Sequence, residues 1–321
     1  MLLKKYYVCA LLFLACAFNS FSQQRPQYTQ YMINPFLLNP AVSGTEDYTD
    51  IRAGYRKQWT GFDGSPRTMY LSAHGSIGKR LTTDANRSRH KKNGFHGIGG
   101  IITSDAIGPT TTTTVSAAYS YHLRVSKKIF ASLGLMGGFN QFTLDGSKLY
   151  AANPSDPLIG GMSKIGMGDV TLGAWLYSDK FYAGASMAQL APSIQFSKTG
   201  QETDYALTKH YFIMAGYKIP LGYDFVFVPS FCIKGTTPAP MSFDINAKLR
   251  YKDFLWAGVS YRNRDAVAAM AGVIINNMFD ISYSYDYITS DINKYTGGSH
   301  EIVIGYRLKS KVTPYCPSNF W

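Results

Sequence analysis

Beyond one stretch at its start, this 321-residue chain has no run of 18 or more apolar residues. A helix needs about that length to cross a bilayer, so a helical membrane protein is excluded. Cysteine is scarce. Of Cys9, Cys16, Cys232 and Cys316, two lie in the first 22 residues, so a disulfide framework does not hold the fold and stability rests on burial and hydrogen bonding. Motifs of catalysis are missing too. The six histidines, His74, His90, His96, His122, His210 and His300, form no HExxH and no pair at metal-ligand spacing, and neither a P-loop nor a GxSxG elbow occurs. The expectation is a protein that is not an enzyme, with no catalytic, metal or cofactor site.

What the start does contain is the layout of an export signal. MLLKK is basic, Tyr6 to Phe21 is apolar apart from small residues, and Ser20 and Ser22 have the small-residue spacing that a signal peptidase needs. The predicted cut falls between Ser22 and Gln23; Cys16 in FLAC is a poorer candidate for lipidation because Phe13 stands where Leu is usual. The net charge of +12 drops to +10 without Lys4 and Lys5. That balance suits nucleic acid, but an exported chain rarely meets any, and no recognised binding motif is present.

The strongest regularity is apolar and polar residues taking turns, as strand geometry produces. In SFDINAKLRYKD, Phe243, Ile245, Ala247, Leu249 and Tyr251 fall on one face and Asp244, Asn246, Lys248 and Arg250 on the other. MFDISYSYDYI and HEIVIGYRLK repeat the pattern. The same test upstream predicts strands near 49–59, 67–78, 94–104, 110–124, 128–143, 168–178, 180–190, 207–219, 223–235, 240–252, 253–263, 265–276, 277–289 and 297–309. About fourteen strands, many near ten residues long, suit an all-β, antiparallel outer-membrane β-barrel. A mean hydropathy of -0.11, 16% charged residues, 24 tyrosines and 19 phenylalanines fit strands that face lipid on one side only. A soluble sandwich would alternate as well, but its outward face would be polar.

Loop lengths suggest an orientation. Short joins at 124–128, 178–180, 220–224, 251–253 and 276–278 fall on one side, and long ones at 143–168, 191–206 and 289–298 on the other. Short turns mark the periplasmic side of such barrels, which predicts periplasmic N- and C-termini. The exception is 79–93, with Lys79, Arg80, Arg87, Arg89, Lys91 and Lys92 against the single Asp84. That join is either a solvated loop or a dock for an acidic partner or lipid headgroups. The divisions expected are a signal peptide at 1–22, a plug-like periplasmic segment at 23–48, a barrel at 49–309 and a periplasmic tail at 310–321.

Two sets of residues are candidates for function. Arg52, Arg56, Asp244, Lys248, Arg250, Arg262, Asp280, Asp286, Glu301 and Arg307 fall on faces that point into the barrel. With both signs interleaved, they read as a ladder of ion pairs filling the lumen, where isolated charges are costly, or as the lining of a selective channel or docking surface. The second set is Tyr31, Asn34, Pro35, Phe36, Asn39 and Pro40. Two Asn-Pro steps fix extended or turn geometry around Phe36, Leu37 and Leu38, so the segment is either a lead-in to the first strand or a plug that enters from the periplasm and docks in the barrel mouth. GIGGI at 97–101 lies in a strand, where glycine permits bending or close packing.

PQYTQYMINPFLLNPAVSGTEDY (26–48), GYRKQWTGFDGSPRTMYLS (54–72) and GGSHEIVIGYRL (297–308) together resemble the PorP/SprF family, associated with the type IX secretion system of Bacteroidetes and, in one branch, with gliding motility. The signature maps to Gln30, Tyr31, Asn34, Pro35, Asn39 and Pro40, to Tyr55, Arg56, Gln58 and Trp59, and to Ser299, His300 and Glu301. The resemblance implies a barrel that helps substrates with C-terminal sorting domains to be secreted or held at the surface, such as a large adhesin. It also implies contact with periplasmic lipoproteins of the machine. The alternative is a general diffusion or uptake channel that needs no protein partner, its charged lumen being the working part.

Overall fold

Strands with an apolar outer face in lipid cannot leave an edge unpaired, because no water is there to satisfy it, so the sheet has to close. The computed structural model describes residues 25–78, 94–149, 161–191, 195–196, 208–236 and 239–309. Its barrel strands are β1 (Tyr48–Lys57), β2 (Arg67–Ile77), β3 (Gly94–Ile107), β4 (Thr110–Arg124), β5 (Phe130–Asp145), β6 (Met162–Tyr177) and β7 (Phe181–Ala188). They continue as β8 (His210–Tyr217), β9 (Phe225–Thr236), β10 (Ser242–Tyr251), β11 (Leu255–Arg262), β12 (Ala266–Ile275), β13 (Phe279–Ile288) and β14 (Ser299–Lys309). Each pairs antiparallel with its chain neighbours, and β14 returns to β1, with Tyr48 opposite Lys309 and Lys57 opposite His300. A closed barrel of fourteen strands results. Two short ladders, Gln195–Phe196 on β6 and Ile219–Leu221 on β9, add to it.

Most strands fall within two or three residues of their predicted ends. β6 is the main departure, starting at Met162 instead of 168, while β5 runs on to Asp145. Here β4, β5 and β6 stay hydrogen-bonded above the top of β7, which is only eight residues long. The wall is therefore taller on this side, a property of neighbouring pairing that alternation within one strand does not report.

The mouth where β1 starts and β14 ends is called the turn mouth, the opposite one the loop mouth. Joins at the turn mouth include 125–129, 178–180, 252–254 and 276–278. The last two reverse the chain in a single step, with Lys252, Asp253, Asn276 and Asn277 all at φ of 47–54°, the left-handed region that suits tight hairpins. The loop mouth carries the long joins 146–161, 189–209 and 289–298, but also the short joins 108–109 and 263–265. The short and long joins named from the sequence thus fall at opposite mouths. The basic join 79–93, the export signal 1–22 and the tail 310–321 lie outside the described residues.

Side chains sort as the period-two pattern requires. Leu133, Leu135, Ile245, Val259, Ile281 and Ile304 are exposed on the outer face, where hydrocarbon covers them. Tyr211, Tyr261, Tyr283 and Tyr287 line the outer face toward the loop mouth, and Tyr217, Phe225, Phe254 and Phe279 toward the turn mouth. These are the two aromatic girdles expected at membrane interfaces. The inner face carries polar and charged side chains together with apolar ones, and the apolar core forms between the latter and the segment upstream of β1. Tyr28, Tyr31, Met32, Ile33, Phe36, Leu37, Leu38, Ala41 and Val42, all upstream of β1, pack inside the barrel against inward side chains such as Tyr70, Ile101, Met136 and Trp175.

Candidate functional site

The lumen is filled by the chain that precedes β1. Three short 3-10 turns, Gln30–Met32, Pro35–Leu37 and Pro40–Val42, fold there, the first two each held to a single turn by the Asn-Pro step that follows. Pro35 and Pro40 open their turns, where a missing N–H leaves nothing unsatisfied. The Asn39 side chain caps the third by accepting from Ala41 N at 2.9 Å.

Near the loop mouth the segment meets four charged wall residues. Thr29 Oγ1 donates to Asp286 at 2.7 Å and accepts from Arg262 at 3.0 Å and from Arg56. The Thr29 and Gln30 N–H groups donate to the two oxygens of Glu301 at 2.7 and 3.3 Å. Arg56 in turn binds Asp286 at 2.7 Å and Glu301 at 3.2 Å. Every charge here has a partner of opposite sign, which is what permits burial of all four side chains.

From this clasp the chain runs down the lumen. Asn34 donates to Ser72 at 2.9 Å, and the Phe36 ring lies 4.7 Å from that of His74. Lower down, Ser43 lies against Ser120 and His122, and Gly44 N donates to His74 Nδ1 at 3.4 Å. The segment therefore enters at the loop mouth, where Arg25 stacks over Phe212, and leaves at the turn mouth to begin β1. It traverses the barrel; a segment tucked in from the side where β1 begins would have left Thr29 far from Asp286 and Glu301.

The wall is shaped to this path by glycine. A Cβ on Gly97 would stand 1.9 Å from Ser43 O, one on Gly134 2.3 Å from Ala41 N, and one on Gly173 2.0 Å from Asn39 Oδ1. On Gly99 it would stand 2.6 Å from Phe36. Two of these glycines come from GIGGI, where the need is close approach of another chain.

All ten residues of the polar ladder face inward and are buried. The structure divides them in two. Arg56, Arg262, Asp286 and Glu301 meet at the loop-mouth clasp. Arg52 pairs with Asp50 at 2.9 Å and with Asp280 at 3.2 Å, and Arg307 reaches Asp280 at 3.4 Å, nearer the turn mouth. Asp244 is held by Lys234 at 2.6 Å, Arg250 by Asp253 at 3.0 Å, and Lys248 lies over the Trp256 ring. In the second set, Tyr31 accepts from Asn246 at 2.8 Å, and Asn39 donates to Ala174 O and Ala185 O at 3.1 Å each. Thr29, Asp50, Lys234 and the wall serines Ser120, Ser132 and Ser186 were not among the candidates. Alternation marks their faces, but a small or lone polar residue on an inward face gives no sign of what it meets. Among the described residues no cluster of three or more His, Cys, Asp or Glu side chains is arranged to hold a metal ion.

The family model described as "Type IX secretion system membrane protein PorP/SprF" matches residues 20–306. The chain belongs to the PorP/SprF family. It is thus a type IX secretion outer-membrane barrel. No curated protein matches this PorP/SprF chain. Among solved structures, the toluene transporter TbuX of Ralstonia pickettii is 10% identical, covers 87% of this chain and 93% of its own, and superposes with a TM-score of 0.51. The monoaromatic hydrocarbon channel CymD is also 10% identical, with coverage of 88% and 93% and a TM-score of 0.50. At that identity the likeness is one of fold.

Proposed function

We propose that this PorP/SprF protein supports the secretion or surface attachment of substrates with C-terminal sorting domains, such as a large adhesin used in gliding. It acts without catalysis, as a membrane-embedded scaffold whose β1 start and C-terminal side face the periplasm while residues 25–29 lie at the opposite mouth, and with a signal peptide removed after Ser22. The long joins at the loop mouth meet the exported protein, and the short-turn side meets periplasmic lipoproteins of the machine. The observation that carries this over a diffusion channel is the filled lumen. Residues 28–46 are buried throughout, and the charged wall is engaged with the segment and with itself. A pore for solutes needs its lining free to meet them.

The test is a deletion strain with pull-down from detergent-solubilised membranes. Loss of a large surface protein from the cell envelope, and its recovery with the tagged barrel, are expected. An unchanged surface proteome together with ohmic solute flux through the purified barrel would favour the channel instead.

A further inference from the structure

Much of the wall's grip on residues 26–46 is on peptide groups. Serine hydroxyls on three strands donate to carbonyls of the segment. Ser186 of β7 reaches Leu38 O at 2.6 Å, Ser132 of β5 reaches Ala41 O at 2.7 Å, and Ser120 of β4 reaches Ser43 O at 2.7 Å. At the other end Glu301 accepts two successive N–H groups, while Gln30 Nε2 donates to the Glu301 carbonyl at 3.0 Å. Buried peptide groups outside a sheet or long helix need partners of this sort, and here the barrel supplies them from β4, β5, β7 and β14. Glycine clears the wall where the main chain comes nearest. The segment from Pro26 to Thr45 carries no charged residue, so it adds nothing unbalanced to the wall's paired charges.

We propose that the lumen is a polypeptide-binding site in its own right, with residues 26–45 as its resident ligand. The class of ligand is an uncharged chain broken by Asn-Pro steps, lying from the loop mouth to the turn mouth. Continuity with β1 raises the local concentration of the segment but supplies none of these contacts, so the same chain offered separately occupies the same place. The proposal rests on lumen geometry and holds whether or not the barrel serves secretion.

To test it, residues 26–45 are replaced by a Gly/Ser sequence of equal length in the full chain. The purified protein is titrated with a fluorescein-labelled peptide of residues 26–45, read by anisotropy. Saturable binding is expected, absent for a scrambled peptide and weakened at least tenfold when Ser120, Ser132 and Ser186 are all replaced by Ala. If the replaced chain does not refold alone, peptide is supplied during refolding. Recovery of the compact, gel-shifted barrel with the native peptide and not the scrambled one then supports the site. A folded barrel that ignores the peptide, equal binding of the scrambled control, or no rescue overturns it.

Discussion

Gly134→Ala adds one methyl group to β5, and the structure says where it goes. The new carbon would stand 2.3 Å from Ala41 N and 2.5 Å from the Pro40 carbonyl carbon, where ordinary contact is about 3.5 Å. Both neighbours are backbone, in a proline turn that cannot rotate aside. The turn has to move by about 1 Å, and overpacking of this kind costs about 1–3 kcal/mol. The move also stretches Ser132 Oγ to Ala41 O and the Asn39 cap, each worth about 1 kcal/mol. Gly137→Ala, on the outward face of the same strand, meets nothing within 4 Å and serves as the control. The assay is the temperature at which the purified barrel loses its folded gel mobility, together with conductance in planar bilayers. Gly134→Ala is expected to unfold at a lower temperature and to conduct more, while Gly137→Ala matches the unaltered protein. Equal behaviour of the two variants would refute the glycine groove.

Three further outcomes are expected. Arg56→Met removes the cation between Asp286 and Glu301 and should cost about 3–5 kcal/mol, with partial recovery when Glu301→Gln is added; equal stability of the single and double variants on urea titration would count against the clasp. Val259→Arg places a charge on the lipid face of β11, where Val259 is exposed, and should cost about 2–4 kcal/mol near the midplane, measured as folding yield into vesicles. In a Cys316→Ser background, Arg25→Cys should react with an impermeant maleimide on the same side of the membrane as Asp63→Cys and on the opposite side from Lys128→Cys. Reaction together with Lys128→Cys would sink the traversing path.

Much of the barrel was legible before any coordinates. Asp244, Asn246, Lys248 and Arg250 alternate with Phe243, Ile245, Ala247 and Leu249, and the lumen and lipid faces divide along that line. What alternation reports is the face a side chain occupies. It does not report height, so the taller β4–β6 wall went unseen, as did the separation of the ladder into a clasp and a turn-mouth group. The segment upstream of β1 was legible as Asn-Pro turns around apolar residues, but its direction through the barrel depends on Thr29 meeting Asp286 and Glu301. Those partners are more than 250 residues away in sequence, and no local pattern joins them.

The path of the segment constrains the order of assembly. The chain passes through the lumen before its first strand begins, and β1 pairs with β14, the last strand to be made. Wrapping around a chain already in place is the shorter route for the tethered segment, because closing first would leave residues 25–47 to be threaded lengthwise through a finished wall. Arg56 and Glu301 face each other across that final seam, and both bind Thr29. The step that seals the ring is thus the same step that locks the enclosed chain.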